Sequence, residues 1–140
     1  MILFNNEYTD ALLINEDAIC EWIENVVINE NHNLGDLSFI FCTDTYLLEI
    51  NKKYLKHNFF TDVITFDYTE NKIVAGDIFI SIDRIKENSE KYSVAFNYEL
   101  LRVIIHGVLH LLGFKDKDKE DKLLMTSKED EYLKLYKNVE

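Results

Sequence analysis

The 140-residue chain has no proline, only four glycines and two cysteines, and each shortage narrows the possible structures. No Pro- or Gly-rich linker divides the sequence, so we expect a single domain over residues 1–140. Cys20 and Cys42 stand far apart without CxxC spacing. We interpret them as buried free thiols, which fits a reducing cytoplasm.

Basic residues are also scarce, because 15 Lys and Arg face 26 Asp and Glu and leave a net charge of -11. Proteins that grip phosphates usually present a basic face. The acidic balance therefore argues against a broad nucleic-acid surface and gives no reason to expect a DNA partner. Any contact with RNA must be local, or helped by a metal or by another protein.

Long apolar runs and targeting signals are missing from the sequence as well. No stretch approaches the roughly 18 apolar residues of a membrane span. The N-terminal residues 1–17 lack the basic start and small-residue cleavage site of a secretory signal. We therefore expect a soluble, cytoplasmic protein with no membrane partner.

The hydrophobic content of 47% is enough for a core, and its periodicity indicates alternating strands and helices. The predicted strands cover residues 1–4, 37–42, 62–68 and 73–82, the last two forming a hairpin, and a turn lies at 33–36. Helices are predicted to begin near 15–17 and 43–44, and others to cover 83–91, 96–112 and 118–137. This order indicates a mixed sheet with helices, of α+β or α/β type.

Three of these helices have a predicted inner face of apolar residues. In the first helix it comprises Ile19, Trp22, Ile23, Val26 and Val27. In the second it comprises Leu47, Leu48, Ile50 and Tyr54, and in the last Leu123, Leu124, Tyr132 and Leu135. The helix over 96–112 is apolar nearly throughout, which predicts a buried central helix.

The central helix carries two histidines, His106 and His110, at a spacing of four residues. Residues four apart lie on one helix face, so both imidazoles can point at one position. Gly113 can end the helix sharply because glycine accepts a positive φ, which leaves Asp116 within reach. Two histidines and a carboxylate, with a fourth place for water, are typical of a catalytic zinc site.

Two other interpretations of this motif stay open. Histidines on an apolar helix are often core residues whose polar atoms are satisfied by neighbours. The spacing is also that of HExxH metalloproteases, which use the Glu beside the first histidine as general base. Here that position is Gly107. A glycine within a helix costs about 1 kcal/mol relative to alanine, and close approach of another element, or of the surroundings of the metal, would justify it.

Three blocks of the sequence resemble the YbeY family of bacterial endoribonucleases. The family signature HGxLHLxGYDH matches HGVLHLLGFKD at 106–116. INKKY at 50–54 with TDVITF at 61–66 is similar to the family's LNxxYR and TDVLSF, and GDI at 76–78 also agrees. The resemblance covers roughly residues 35–130, and the blocks occur in the family's order.

This resemblance implies an α+β, zincin-like domain, in which about five helices pack with a mixed four-stranded sheet. It implies one Zn²⁺ per chain on His106, His110 and Asp116, where Asp116 replaces the family's usual third histidine, and another divalent metal is possible. The implied activity is single-strand-specific, metal-dependent cleavage of RNA in 16S rRNA 3′-end maturation and ribosome quality control. The implied partners are ribosomal RNA and the small ribosomal subunit with its proteins.

The family also carries an arginine, considered important for RNA cleavage, where this chain has Leu55. We predict that Lys56, His57 and Arg102 hold the RNA backbone instead, with His106 and His110 completing the catalytic set. The alternatives are that Lys56 and His57 are ordinary exposed loop residues, and that Arg102 pairs with Glu99 at i, i+3.

Two further interpretations concern the wider site and the function. Asp62 and Asp77 either orient the ligand imidazoles or cap strands and turns. The protein as a whole is alternatively a zinc metalloprotease-like hydrolase, which the helix spacing favours, or a ribosome-associated binding protein with a structural zinc. The missing arginine and the strong acidity favour the binding protein.

Overall fold

A four-stranded mixed sheet forms the centre of the computed structural model, which describes residues 1–8 and 10–136. The strands are β1 (Ile2–Asn6), β2 (Asn33–Cys42), β3 (Val63–Asp67) and β4 (Ile73–Ser81). Their order is β1-β2-β4-β3; β1, β2 and β4 run parallel and β3 is antiparallel to β4. The predicted α+β class, the mixed four-stranded sheet and the β3–β4 hairpin are confirmed.

Five α-helices pack with this sheet, as predicted. They are α1 (Glu16–Asn29), α2 (Asp44–Ile50), α3 (Ile82–Lys91), α4 (Phe96–Leu111) and α5 (Lys119–Leu135), and a π-helical segment, Asn51–Leu55, continues α2. The predicted inner face of α1 is confirmed, because all five of its residues are buried. Among residues 1–8 and 10–136, no single helix is long and apolar enough to span a membrane. Taken together, α3 and α4 have enough length and apolar composition, but they are bent by 119° relative to each other.

The central helix α4 packs directly on the sheet at Gly107, and this close contact explains the glycine. A Cβ on Gly107 would lie 2.9 Å from Cγ2 of Ile78, a residue of β4 with 0% exposure. One helical turn later, Leu111 packs over Gly76 of the same strand. The close approach expected from the glycine is confirmed, and it brings the histidine-bearing helix down onto the sheet.

The turn predicted at residues 33–36 is wrong, because these residues form the first part of β2. Asn33 and Leu34 pair with Ile73 and Val74 of β4, and a bulge before Leu37 shifts the register. A Cβ on Gly35 would lie 2.8 Å from the carbonyl oxygen of Val74. The glycine therefore marks close contact of two strands at a bulge rather than a reversal of the chain.

The predicted inner face of the second helix is wrong at Tyr54, which is 55% exposed. The α-helix changes to π-winding after Ile50, and the wider turn shifts every later side chain around the axis. Asn51 is buried in its place, and its side-chain amide donates a hydrogen bond to the Phe59 carbonyl (2.9 Å). This bond ties the segment to the loop that follows it.

The predicted inner face of α5 is wrong as well. Leu123, Leu124 and Leu135 are exposed, and of the predicted set Tyr132 alone is buried. The buried face comprises Met125, Glu129, Tyr132 and Leu133. The helix is thus rotated so that an acidic residue faces α4.

Candidate metal centre

A cleft of about 300 Å³ opens beside the C-terminal half of α4. Its other walls are β3 and the chain between the π-helical segment and β3. His106, His110 and Asp116 lie on one side, and His57 and Phe59 lie on the loop that forms another. The predicted metal ligands therefore face a shared, solvent-accessible space.

Local structure at the end of α4 brings Asp116 back toward the two histidines. Gly113 has a φ of 102°. Its N–H donates to the His110 carbonyl, and the Phe114 N–H donates to the Leu109 carbonyl, both at 3.0 Å. This is the paired bonding of a Schellman cap, which requires the left-handed residue that glycine supplies most easily. The role predicted for Gly113 is confirmed.

The three predicted ligand atoms form a compact triangle. Nε2 of His106 and Nε2 of His110 are 3.0 Å apart, and each lies 3.4 Å from Oδ2 of Asp116. Tetrahedral zinc with bonds of about 2.0–2.1 Å requires ligand atoms about 3.3 Å apart. The residues therefore fit one metal ion with three protein ligands, and the arrangement leaves a fourth direction toward the cleft.

Hydrogen bonds on the far side of each imidazole determine which nitrogen faces the triangle. Nδ1 of His106 contacts Oε2 of Glu129 at 2.6 Å, and Nδ1 of His110 contacts the Phe114 carbonyl at 3.1 Å. Both partners are acceptors, so both Nδ1 atoms carry the proton in the neutral rings. Two Nε2 lone pairs then face each other at 3.0 Å. Such a pair requires a cation between its members, either a proton or a metal.

The electrostatic surroundings also favour a cation. Burial alone would lower the pKa of His106, but its hydrogen bond to Glu129 and the charges of Glu129, Asp62 and Asp116 raise it. Burial and the charge of His106 lower the pKa of His110. Burial raises the pKa of Asp62, against the positive charge of His106. One imidazole is thus the preferred proton site, and a divalent ion would neutralise several nearby carboxylates.

The remaining predicted site residues lie in different places. His57 lines the cleft, and its ring stacks on Phe59 with centroids 5.1 Å apart. Lys56 is exposed, with a φ of 57°, at the end of the π-helical segment. In the part of the chain that the structure describes, neither Lys56 nor Arg102 is among the cleft-lining residues. Their predicted contacts with RNA stay predictions.

Arg102 is bonded to acidic residues of α5. Its Nη1 donates to Oε1 of Glu129 (2.7 Å), and its Nη2 donates to Oδ1 of Asp130 (2.6 Å) and to the Tyr98 hydroxyl (3.3 Å). The predicted alternative was a pair with Glu99. The ion pairs formed in the described structure are with Glu129 and Asp130 instead.

Glu129 is the residue of the site that the sequence interpretation missed. Its signal was present, since Met125, Glu129 and Tyr132 are spaced by four and three residues. The spacing of Leu123, Leu124 and Leu135 predicts a different buried face for α5, and these leucines are exposed. Of the two carboxylates considered for orienting the ligands, Asp62 lines the cleft, whereas Asp77 accepts a hydrogen bond from the Tyr68 hydroxyl (3.2 Å).

Comparison with known proteins agrees with this geometry. The family model described as Endoribonuclease YbeY matches residues 4–137. A relative from Flavobacterium psychrophilum named Endoribonuclease YbeY is 51% identical over 136 residues, covering 97% of this chain and 96% of that protein. Another of the same name from Karelsulcia muelleri is 56% identical over 121 residues, covering 86% of each.

A solved structure gives the same answer for the fold. The solution structure of a Thermotoga maritima protein superposes with a TM-score of 0.68 at 25% identity, covering 96% of this chain and 87% of that one. The family model spans nearly the whole chain, and the relatives match at high identity and coverage. The resemblance inferred from three short motifs is therefore confirmed: this chain belongs to the YbeY endoribonuclease family.

Proposed function

We propose that this protein is a metal-dependent endoribonuclease that cleaves single-stranded RNA, with one Zn²⁺ held by His106, His110 and Asp116. The observation that carries the proposal is the triangle of two Nε2 atoms and one carboxylate oxygen, 3.0 to 3.4 Å apart, at the wall of an open cleft. Structural zinc sites are closed by four protein ligands, whereas catalytic sites keep one position free. The three ligands here favour catalysis over a structural zinc.

When bound, such a metal supplies Lewis-acid chemistry and activation of water for attack on a phosphodiester. The chain's own residues hold the metal and orient its ligands. Glu129 and the Phe114 carbonyl keep the two imidazoles turned so that each Nε2 faces the centre. Because Asp116 is a carboxylate and not a neutral imidazole, the metal with its three ligands has a net charge lower by one than with a third histidine. Its oxygen is also a harder ligand, which makes other divalent metals alternatives to zinc.

The loop wall of the cleft suits unpaired nucleotides. His57 and Phe59 stack nearly parallel, at 20°, and both side chains are exposed. Bases of single-stranded nucleic acid stack on such aromatic surfaces with little sequence preference. Stacking would supply affinity that a chain of net charge -11 gains poorly from phosphates. Lys56, next to this pair, is the proposed contact to the RNA backbone. Replacing Phe59 with Ala should weaken RNA binding without changing zinc affinity.

We propose ribosomal RNA as the physiological substrate, specifically the 3′ end of 16S rRNA, with the small ribosomal subunit and its proteins as partners. The support for this is membership of the YbeY family and the motifs at 106–116 and 61–66. A cytoplasmic location and a single domain over residues 1–140 belong to the same proposal.

The proposed function is tested by comparing H110A with H32A, a matched loss of one imidazole at a histidine outside the cleft. We expect the wild-type protein and H32A to bind one zinc and to cleave a single-stranded RNA oligonucleotide. H110A should lose both properties, because two ligands seldom hold zinc. Cleavage by a protein shown to contain no metal would refute the metal-dependent mechanism.

The protease alternative is tested by incubating the same zinc-loaded samples with casein. At the position of the protease's general base the chain has Gly107, where any side chain would meet Ile78. We therefore expect no proteolysis. Co-sedimentation with ribosomes without cleavage above the H106A background would instead favour the binding-protein alternative.

A further inference from the structure

A buried carboxylate on α5 joins one metal-ligand histidine to an arginine. Glu129 is 7% exposed, and each of its oxygens has a different partner. Oε2 accepts from Nδ1 of His106 at 2.6 Å, and Oε1 accepts from Nη1 of Arg102 at 2.7 Å. The three side chains form a continuous chain of charge-assisted hydrogen bonds from α4 to α5 and back to α4.

The guanidinium of Arg102 is held from both sides. Its second arm bonds to Asp130 and to the Tyr98 hydroxyl, so its planar fork spans two consecutive acidic residues of α5. Hydrogen bonds to Asp130 and Glu129 raise its pKa, against the effect of burial. A positive group with this many fixed partners holds Oε1 of Glu129 in place and so aligns Oε2 with the imidazole of His106.

The two ligand histidines are consequently supported in different ways. The partner of His110 is a neutral backbone carbonyl at 3.1 Å, whereas the partner of His106 is a carboxylate at a shorter distance. A carboxylate acceptor orients a ligand imidazole and raises its basicity, and losing such a partner typically weakens metal binding roughly 10- to 100-fold.

We propose that Glu129 and Arg102 are positioning residues that set the metal affinity of the centre by acting on His106, with Arg102 acting through Glu129. This inference rests on the proposed metal site, but it does not depend on RNA being the substrate. It assigns Arg102 a function within the protein that differs from the phosphate contact predicted from the sequence.

The decisive comparison is E129Q against D130N. Both variants replace one carboxylate with an amide at adjacent positions of α5, and both remove a negative charge that pairs with Arg102, but only Glu129 also contacts His106. With zinc alone as probe, in competition with a chromophoric chelator, we expect E129Q to bind roughly 10- to 100-fold more weakly. D130N should stay close to wild type, because Asp130 is 51% exposed and exposed ion pairs contribute little.

A second measurement reads the histidine directly in the metal-free protein. Nitrogen chemical shifts of the imidazoles report which ring nitrogen carries the proton. At a pH high enough for both imidazoles to be neutral, we expect the Nδ1–H form of His106 in the wild-type protein and D130N, and a mixture of the two forms in E129Q. His110, with its carbonyl partner, should keep its form in all three and serves as the internal reference.

R102K tests the arginine at the end of the hydrogen-bonded series His106–Glu129–Arg102. A lysine keeps the positive charge but cannot bridge Glu129 and Asp130 as a planar fork. We expect weaker zinc binding, in the direction of E129Q. Unchanged zinc affinity with weakened RNA binding would overturn the positioning role and restore Arg102 as a phosphate ligand. If E129Q fails to fold by circular dichroism, R102K and the zinc affinity it shows decide the proposal.

The outcomes separate this inference from the proposed function. Wild-type zinc affinity in both E129Q and R102K would overturn the positioning role even if the protein cleaves RNA. Conversely, weakened zinc binding in these variants would support it even if no RNA is cleaved.

Discussion

The substitution G107A has two opposing effects of similar size on the free energy of unfolding. Alanine is favoured over glycine within a helix by about 1 kcal/mol, so an isolated helix would gain stability. In the protein, however, the new Cβ would lie 2.9 Å from Cγ2 and 3.1 Å from Cδ1 of Ile78. Ile78 is fully buried in β4, the strand between β2 and β3. Its Cγ2 is attached directly to the branched Cβ, so this methyl group can move away only if the stiff χ1 angle or the backbone changes.

Inserting a methyl group into such a packed contact costs roughly 1–3 kcal/mol. Because this packing cost exceeds the gain in helix propensity, we expect the free energy of unfolding to fall by about 1 kcal/mol. The assay is urea denaturation of the metal-free protein in the presence of a chelator, because bound metal would add its own stabilisation. The slope of the transition should stay unchanged, since the surface exposed on unfolding is the same.

Two further variants decide whether close packing is the cause. I78V removes the contact to Cδ1, so it should cost less in the G107A background than in the wild-type protein. G113A is the contrasting glycine: among the described residues nothing lies within 4 Å of its added Cβ, but its φ of 102° penalises alanine. A G107A protein more stable than wild type by the full helix propensity would refute the packing argument.

Three other outcomes are expected. Both cysteines are free, but only Cys42 is buried; the expected burial of Cys20 is wrong, because Cys20 is partly exposed. Burial raises the pKa of Cys42 to about 12, and burial with the charges of Asp17 and Glu16 also raises the pKa of Cys20. A thiol reagent at neutral pH should therefore label Cys20 slowly in the folded protein and Cys42 only after unfolding. Apparent zinc affinity, followed by chelator competition, should fall as the pH decreases through the raised pKa of His106, because protons then occupy the ligand nitrogen; the hydrogen bond to Glu129 and the nearby carboxylates place this loss at a higher pH than an ordinary imidazole would give. N15A removes the side-chain cap of α1 and should lower the free energy of unfolding by about 1 kcal/mol in urea titrations.

The sequence predicts well those parts of the structure that are determined by residues close together in the chain. The histidine spacing, the helix stop at Gly113 and the return to Asp116 are all encoded within a few residues, and the geometry agrees with them. The apolar periodicity of α1 is also read from residues close together in the chain, since its five buried residues all lie between positions 19 and 27.

The errors come from features that depend on the tertiary structure. The residues around Gly35 predict a turn because a bulge between paired strands and a loop share the same residue types. The apolar spacing predicts that Tyr54 is buried, because a change to π-winding leaves no periodic signal in the sequence. Glu129 was missed because burying an acid is favourable only when a partner such as Arg102 faces it, and that partner lies on another helix.

The three ligand residues all lie within residues 106–116, a helix end and the turn that follows it. A ligand set contributed by one short segment survives in part when the remainder of the fold is lost, because the segment needs no distant partner to bring its histidines together. An unfolded chain would then retain weak affinity for the metal, which reduces the stabilisation gained by binding. Zinc should accordingly raise the melting temperature less than its affinity for the native protein alone would suggest.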